Sequence, residues 1–172
     1  LAALLKLIHR GGSLPGQIGL KLSPSLLQKL TFHCPIILVT GTNGKTSTSN
    51  MITALLEAQG KVVVSNRKGD NLKEGITTAI VTHTSLTKKV KADAIVLEVD
   101  ELNIPFVMKN IQATALVVTN FFRDQLDRAR EMEQLIVKLE TAIHDFKGTL
   151  ILNGNDPNVY RLYDAAPKAK LL

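Results

Sequence analysis

Short runs of consecutive apolar residues alternate along the chain with segments in which apolar residues recur at helical spacing. The apolar runs predict five strands, at residues 36–40, 61–65, 93–99, 114–120 and 149–153. Most of these runs are continuous and do not alternate with polar residues. Continuous runs are typical of strands that are covered on both faces, as in a parallel sheet.

The segments between these strands predict helices. The helix after the first strand is predicted over residues 45–59, with Met51, Ile52, Leu55 and Leu56 on one face and Gly60 as its stop. Other helices are predicted at residues 1–8, 23–30, 103–110, 131–146 and 156–163. Alternation of strands and helices indicates an α/β fold with a mainly parallel sheet flanked by helices.

Polar motifs follow the predicted strands at their carboxyl ends, where ligands bind in such sheets. They are VTGTNGKT after the first strand, Glu98 and Asp100 at the end of the third, NFFRDQLD after the fourth and NGNDP after the fifth. Parallel strands bring these ends to one edge of the sheet. The sequence therefore predicts a single ligand site built from several motifs.

The stretch TGTNGKT, residues 40–46, has the residue types of a phosphate-binding loop. In such a loop the backbone N–H groups cradle phosphates, Lys45 reaches the terminal ones and the Thr46 hydroxyl binds Mg²⁺. The generic pattern has a Gly five residues before Gly44, where this chain has Val39. An ordinary strand–turn–helix corner is the alternative reading of these residues.

Composition narrows the classes of function. The 172 residues carry a formal net charge of +6, which is compatible with phosphate-bearing ligands. Aromatic residues make up 4% and form no stacking platform, which argues against single-stranded nucleic acid, and no nucleic-acid partner is expected. Cys34 is the only cysteine, so the chain has no disulfide framework, and a reducing, cytoplasmic setting is expected.

Taken together, the motifs resemble the central ATP-binding domain of the Mur ligase family. The residues that carry the resemblance are GGSLPGQIGLKLSPSLL, VTGTNGKTSTSNMI, NRKGDNLKEGI, VLEVDE, VVTNFFRDQLDR and LNGNDP, in this order over nearly the whole chain. NRKGDNL and NFFRDQLD are most similar to the ligase-like subunits of lipid II isoglutaminyl synthase. The resemblance implies a P-loop-containing Mur ligase fold.

The resemblance also implies roles for individual residues. Lys45 and Glu98 are the implied catalytic residues, and Thr46 and Glu98 the implied Mg²⁺ ligands. The implied ATP-binding residues are Gly41, Thr42, Asn43, Gly44, Lys45, Thr46, Ser47, Asn153 and Asp156. Asn153 and Asp156 match a motif that contacts adenine in relatives, although turn and helix-cap chemistry would explain the same two residues.

One position departs from most of the family. Gln125 stands where most Mur ligases have a metal-binding His, so an amide oxygen is the only ligand it could offer. Gln is the residue that the lipid II subfamily carries there. That subfamily also has a four-cysteine zinc ribbon and a C-terminal domain, and neither fits in this chain. We therefore expect a fragment, with residues 1–35 as an N-terminal helical segment and 36–172 as the ATP-binding domain.

The function implied is ATP-dependent ligation of carbon to nitrogen. The α-carboxylate of D-Glu in the lipid II stem peptide would be activated as an acyl phosphate and amidated with ammonia from a glutamine amidotransferase subunit, at the inner face of the membrane. The cofactors implied are ATP and Mg²⁺, with zinc only in the missing region. Two alternatives stay open: a non-catalytic nucleotide-binding module, and another Mur or folylpolyglutamate ligase that adds an amino acid.

Overall fold

The computed structural model describes residues 13–67, 70–122 and 129–172. A parallel sheet of six strands forms its centre: β1 (Ile36–Thr40), β2 (Val63–Ser65), β3 (Ala94–Glu98), β4 (Ala115–Val118), β5 (Thr149–Leu152) and β6 (Lys170–Leu171). The strands lie in the order β2-β3-β1-β4-β5-β6. The α/β prediction is confirmed, and the edge strand β6 is an addition that the apolar runs did not predict.

Seven α-helices lie in the described part of the chain. They are α1 (Leu14–Leu22), α2 (Lys45–Ala58), α3 (Lys73–Thr82), α4 (Ile104–Asn110), α5 (Ala129–Ile143), α6 (Pro157–Tyr160) and α7 (Leu162–Ala165), with 3-10 turns at Leu27–Lys29 and Glu101–Asn103. Helix α2 packs over β1, β2 and β3, and α4 packs against α5. None of the described helices has both the length and the apolar character needed to cross a bilayer.

The core lies around the two central strands. All five residues of β3 are buried, as are four of the five in β1. Leu38, Ile95, Leu97 and Leu116 are fully buried among the largest core side chains. Burial along the whole of β3 means that both faces of the sheet are covered there, which is why its sequence is continuously apolar.

One predicted helix is wrong, and one observed helix was not predicted. The helix predicted at residues 23–30 is a turn followed by the single 3-10 turn Leu27–Lys29, and the regular helix α1 ends before it, at Leu22. Helix α3 was not predicted, yet α1 packs against it and the Gly16 N–H donates a 2.8 Å hydrogen bond to Thr78 Oγ1. The helix predicted at residues 1–8 lies outside the described residues.

The face of α2 that touches the sheet differs from the apolar face predicted for it. Ser49 and Thr53 are buried, whereas Met51 and Leu55 are 64% and 61% exposed. Both buried hydroxyls bond within the helix: Ser49 Oγ donates to the Thr46 carbonyl (3.1 Å) and Thr53 Oγ1 to the Ser49 carbonyl (2.7 Å). Small side chains satisfied in this way let the helix approach the sheet closely.

Candidate functional site

The loop that joins β1 to α2 contains two glycines with positive φ. Gly41 has φ +123° and Gly44 has φ +82°, which favour glycine over other residues. A Cβ built on Gly41 would lie 2.2 Å from Thr119 Oγ1, so the loop lies directly against the end of β4. A Cβ on Gly44 would meet nothing within 4 Å. The second glycine therefore faces open space, from which an anion can approach the backbone.

Asn120, just beyond β4, fixes the first half of this loop. The Thr42 N–H donates to the Asn120 carbonyl (2.7 Å) and the Asn43 N–H to Asn120 Oδ1 (3.0 Å). The carbonyl of Asn43 accepts from Asn120 Nδ2 at 2.9 Å and from Thr119 Oγ1 at 2.7 Å. The predicted phosphate donors at Thr42 and Asn43 thus hold the loop in place, and the donors open to a ligand begin at Gly44.

Helix α2 begins at Lys45 with Gly44 as its N-cap. No side chain caps it and its first turn has no acidic residue, so its positive end is not neutralised locally. The N–H groups of Lys45, Thr46 and Ser47 belong to the first turn of the helix, which has no intrahelical acceptors for them. Thr46 and Ser47 are exposed. The start of α2 therefore has the donors and the field of an anion site.

The ammonium of Lys45 is folded back over the loop that precedes it. Lys45 Nζ donates to the carbonyls of Gly41 and Thr42, the latter at 3.2 Å. It also lies 3.6 Å from Oε1 of Glu101, and both side chains are about one-eighth exposed. Lys45 is thus at the predicted loop, and Glu101 is a carboxylate partner that the sequence reasoning did not name.

Glu98 is the last residue of β3 and lies opposite Val39 of β1, two residues before Gly41. It is 6% exposed, and Asn71 Nδ2 donates to its Oε1 at 3.3 Å. Among the described residues, no Lys, Arg or His nitrogen lies within 4.0 Å of this carboxylate. A buried carboxylate without a cationic partner is costly. Its hard oxygens suit Mg²⁺, and Glu98 therefore fits the metal role predicted for it.

Thr46 lies in the first turn of α2, which follows the carboxyl end of β1, and β1 pairs with β3, at whose end Glu98 lies. The third predicted metal ligand, Gln125, lies outside the described residues. Within residues 13–67, 70–122 and 129–172, no three His, Cys, Asp or Glu side chains cluster as a metal site would require. Thr46 and Glu98 could thus supply two oxygens, and Mg²⁺ commonly completes its shell with water and substrate phosphates.

Asp156 follows β5, and both of its carboxylate oxygens have protein partners. Oδ1 accepts from the N–H groups of Asn158 (2.9 Å) and Val159 (3.3 Å) and so caps α6. Oδ2 accepts from the Phe121 N–H at 2.7 Å, which joins α6 to the segment after β4. The turn-and-cap reading of Asp156 describes these contacts, and its adenine role stays a prediction.

Asn153 has a similar structural position at the end of β5. Its Nδ2 donates to the Thr119 carbonyl (2.9 Å), and its Oδ1 accepts from the Asn155 N–H (3.1 Å). The first of these bonds links the ends of β4 and β5, and the second lies within the turn after β5. The adenine role of Asn153 also stays a prediction.

Four further residues belong to this edge of the sheet but were not among the predicted site residues. They are Asn66, Asn71, Glu101 and Asn120, which hold Glu98, Lys45 or the phosphate loop. All four stand inside motifs singled out by sequence: NRKGDNL, VLEVDE and VVTNFF. Their position after a predicted strand could have identified them as candidate site residues. Their partners were not visible in the sequence, because they lie on elements that are distant along the chain.

Comparison with curated proteins finds relatives at substantial identity. The chain is 39% identical over 154 residues to the MurT subunit of lipid II isoglutaminyl synthase (glutamine-hydrolyzing) from Staphylococcus aureus strain COL. That match covers 89% of this chain and 34% of the relative. The chain thus spans about a third of the length of this curated relative.

Solved structures of related ligases share the fold. MurF from Acinetobacter baumannii superposes with a TM-score of 0.68 at 18% identity, over 93% of this chain and 34% of that one. MurF from Thermotoga maritima, solved in complex with ADP, superposes with a TM-score of 0.62 at 16% identity, over 99% of this chain and 36% of the other. These likenesses show the same sheet and helix arrangement.

The family model for the Mur ligase middle domain matches residues 39–171. The match begins at the end of β1 and extends through β6, so it includes the loop between β1 and α2, Glu98 and the end of β5. It covers well over half of the chain. The protein therefore belongs to the Mur ligase family, whose middle domain accounts for its parallel sheet and for the loop that joins β1 to α2.

Proposed function

We propose that the chain is the ATP-binding part of a MurT-like subunit that activates a carboxylate for amidation. The observation that carries the proposal is the meeting of the TGTNGKT loop with Glu98 at the ends of neighbouring strands. The 39% identity to a MurT subunit supports this assignment over other members of the family. ATP is the proposed nucleotide, with residues 36–172 as its domain.

The proposed reaction has two steps. A carboxylate oxygen of D-Glu in the lipid II stem peptide attacks the γ-phosphorus of ATP, which forms an acyl phosphate and releases ADP. Ammonia then attacks the acyl carbon and phosphate leaves, which gives D-isoglutamine, the α-amide of D-Glu. A glutamine amidotransferase subunit would supply the ammonia by hydrolysing glutamine, in the cytoplasm at the inner face of the membrane.

The residues of this chain act mainly by binding and orienting the nucleotide. The N–H groups from Gly44 to Ser47 would hold the phosphates, and Lys45 would stabilise the charge that develops on the transferred phosphoryl group. Thr46 and Glu98 would hold Mg²⁺, whose charge offsets that of the phosphate oxygens. Gln125 is a further proposed ligand of the metal.

Nucleotide binding by the 172-residue chain is the direct test. Titration with a non-hydrolysable ATP analogue and Mg²⁺ in a calorimeter should give saturable one-to-one binding. Lys45→Ala should weaken the binding about tenfold or more, because a charge-assisted hydrogen bond to the phosphates is lost. Lys109→Ala, in the last turn of α4, is the matched control and should leave the affinity unchanged. Equal affinities for Lys45→Ala and the unaltered chain would refute the phosphate-loop assignment.

Amidation itself needs a second experiment. We expect the 172-residue chain alone to bind nucleotide but to form no D-isoglutamine from lipid II, even with ammonium present. A longer MurT-like polypeptide containing this sequence, with its amidotransferase subunit, should form it from glutamine and ATP, as read by mass spectrometry. In that assembly Lys45→Ala should lower turnover about 100-fold or more. Glutamate or another amino acid added to the substrate would favour the ligase alternative, and binding without any product would favour the non-catalytic one.

A further inference from the structure

The buried side-chain amide of Asn66 is hydrogen-bonded to the backbone of Glu98. It directly follows β2, is 8% exposed, and stands outside the residues to which sequence reasoning assigned a role. Its Oδ1 accepts from the Glu98 N–H at 2.9 Å, and its Nδ2 donates to the Glu98 carbonyl at 2.7 Å. The same Nδ2 donates to the Asp70 carbonyl at 2.9 Å. One side chain thus satisfies both backbone groups of Glu98.

The sheet topology explains why Glu98 needs this partner. On the β1 side, the neighbouring Val99 N–H donates to the Val39 carbonyl at 2.9 Å, so the backbone groups of Glu98 point to the β2 side. The last pair of β2 with β3 is Ser65 with Val96, two residues before Glu98. The primary amide of Asn66 has the donor and acceptor of a peptide group. It therefore continues the ladder for one more residue after β2 has ended.

A second amide holds the side chain of the same glutamate. Asn71 Nδ2 donates to Glu98 Oε1 at 3.3 Å, and the Asn71 carbonyl accepts from the Asp100 N–H at 3.1 Å. Asn66 thus fixes the backbone of Glu98 and Asn71 contacts its carboxylate. Both partners are neutral, so they orient the carboxylate without neutralising its charge, which stays available for a cation.

We propose that Asn66, with Asn71, is a positioning residue that aims the Glu98 carboxylate at the divalent cation of the nucleotide complex. The proposal rests on the proposed function, in which Glu98 binds Mg²⁺. Residues that orient metal ligands commonly matter nearly as much for metal binding as the ligands do. Without the Asn66 side chain, two buried backbone groups of Glu98 lose their partners and the end of β3 is no longer held.

The experiment measures how strongly Mg²⁺ tightens the binding of a fluorescent non-hydrolysable ATP analogue to the 172-residue chain. Affinity is measured in EDTA and over a range of Mg²⁺ concentrations, and melting temperatures are recorded for each variant. Asn66→Ala should raise the Mg²⁺ concentration for half-maximal tightening about tenfold or more, with affinity in EDTA changed less than about threefold. Asn110→Ala removes a comparable amide bond, from Asn110 Nδ2 to the Phe106 carbonyl at the end of α4, and should change neither value.

Asn71→Ala keeps the inference testable if Asn66→Ala does not fold. Asn71 is only partly buried, and its loss should raise the required Mg²⁺ concentration about threefold or more. A folded Asn66→Ala chain with a lower melting temperature but the wild-type Mg²⁺ dependence would overturn the positioning role. If Asn66→Ala does not fold, a wild-type Mg²⁺ dependence in Asn71→Ala would overturn the positioning role instead. An unaltered chain that binds the analogue equally well with and without Mg²⁺ would instead overturn the proposed metal site itself.

Discussion

The Lys45 ammonium lies 3.6 Å from Oε1 of Glu101, across the space between the start of α2 and the 3-10 turn that follows β3. The same ammonium donates to the Gly41 and Thr42 carbonyls of its own loop. In this structure the Lys45 ammonium is therefore held by protein acceptors. A nucleotide bound at this loop would have to compete with Glu101 for the Lys45 ammonium, and its phosphates would have to approach the negative charge of Glu101.

Glu101→Gln should therefore tighten nucleotide binding. The change removes a negative charge near the phosphates and weakens the hold on Lys45, and we expect an affinity gain of about threefold in calorimetry at low ionic strength. Glu57→Gln, which removes the exposed ion pair of Glu57 with Arg67, is the control and should have no effect. Weaker binding by Glu101→Gln would mean that Glu101 assists the ligand.

Glu98→Gln should separate metal binding from folding. The Gln Oε1 can still accept from Asn71 Nδ2, so the melting temperature should stay close to that of the unaltered chain. The loss of the negative charge should raise the Mg²⁺ concentration needed for nucleotide binding about tenfold, since Mg²⁺ prefers carboxylate oxygens. Glu133→Gln, at an exposed site on α5, is the control. An unchanged Mg²⁺ titration for Glu98→Gln would exclude Glu98 as a ligand.

The two loop glycines should differ in their tolerance of a methyl group. Gly41→Ala combines a positive φ with a clash against Thr119 Oγ1, and we expect it to lower the free energy of unfolding by about 2–4 kcal/mol. Gly44→Ala has the positive φ alone and should cost about 1–2 kcal/mol. Urea denaturation of both variants checks the order, and an equal loss would contradict the close approach at Gly41.

Cys34 should behave as a structural thiol and not as a nucleophile. Burial, together with the negative charge of Asp93, raises the pKa of Cys34 above its ordinary value. Because the thiolate is the reactive form, alkylation by iodoacetamide should reach its half-maximal rate at a higher pH in the folded chain than in urea. Asp93→Asn should move the folded profile toward lower pH. A folded profile below that in urea would contradict the structural role.

The raised pKa of Cys34 also determines in which direction its contribution to stability changes with pH. The folded state favours the neutral thiol, so any stability from this group is present below the ordinary thiol pKa and is lost as pH rises through the higher folded pKa. The unaltered chain and Cys34→Ser should therefore differ less in their free energy of unfolding at alkaline pH than at neutral pH.

The positions of the strands along the chain, and the α/β class that follows from them, could be predicted from the sequence alone. Continuous apolar runs define the buried strands because both faces of a parallel sheet are covered. β1 was predicted at its observed bounds and β3 within one residue at each end. The Gly, Lys and Thr of TGTNGKT after a buried strand predicted a phosphate-binding loop, and that assignment stays a prediction.

Tertiary contacts decided which face of α2 packs against the sheet, and the local sequence pattern did not predict it. Met51 and Leu55 of α2 are exposed, while Ser49 and Thr53 face the sheet, because close packing selected small side chains whose hydroxyls bond within the helix. An amphipathic pattern marks apolar positions, but it cannot show which face a neighbouring element covers.

The partners in the site were decided in the same way. Asn66 bonds to Glu98 from 32 residues away, and Asn120 bonds to Asn43 from 77 residues away. Each sits in a motif that was visible in the sequence, but the strand order β2-β3-β1-β4 determines which motifs become neighbours. The sequence by itself determined which residue types gather at the carboxyl edge of the sheet. Only the fold decided which of them touch, because a hydrogen bond depends on distance in space and not on separation along the chain.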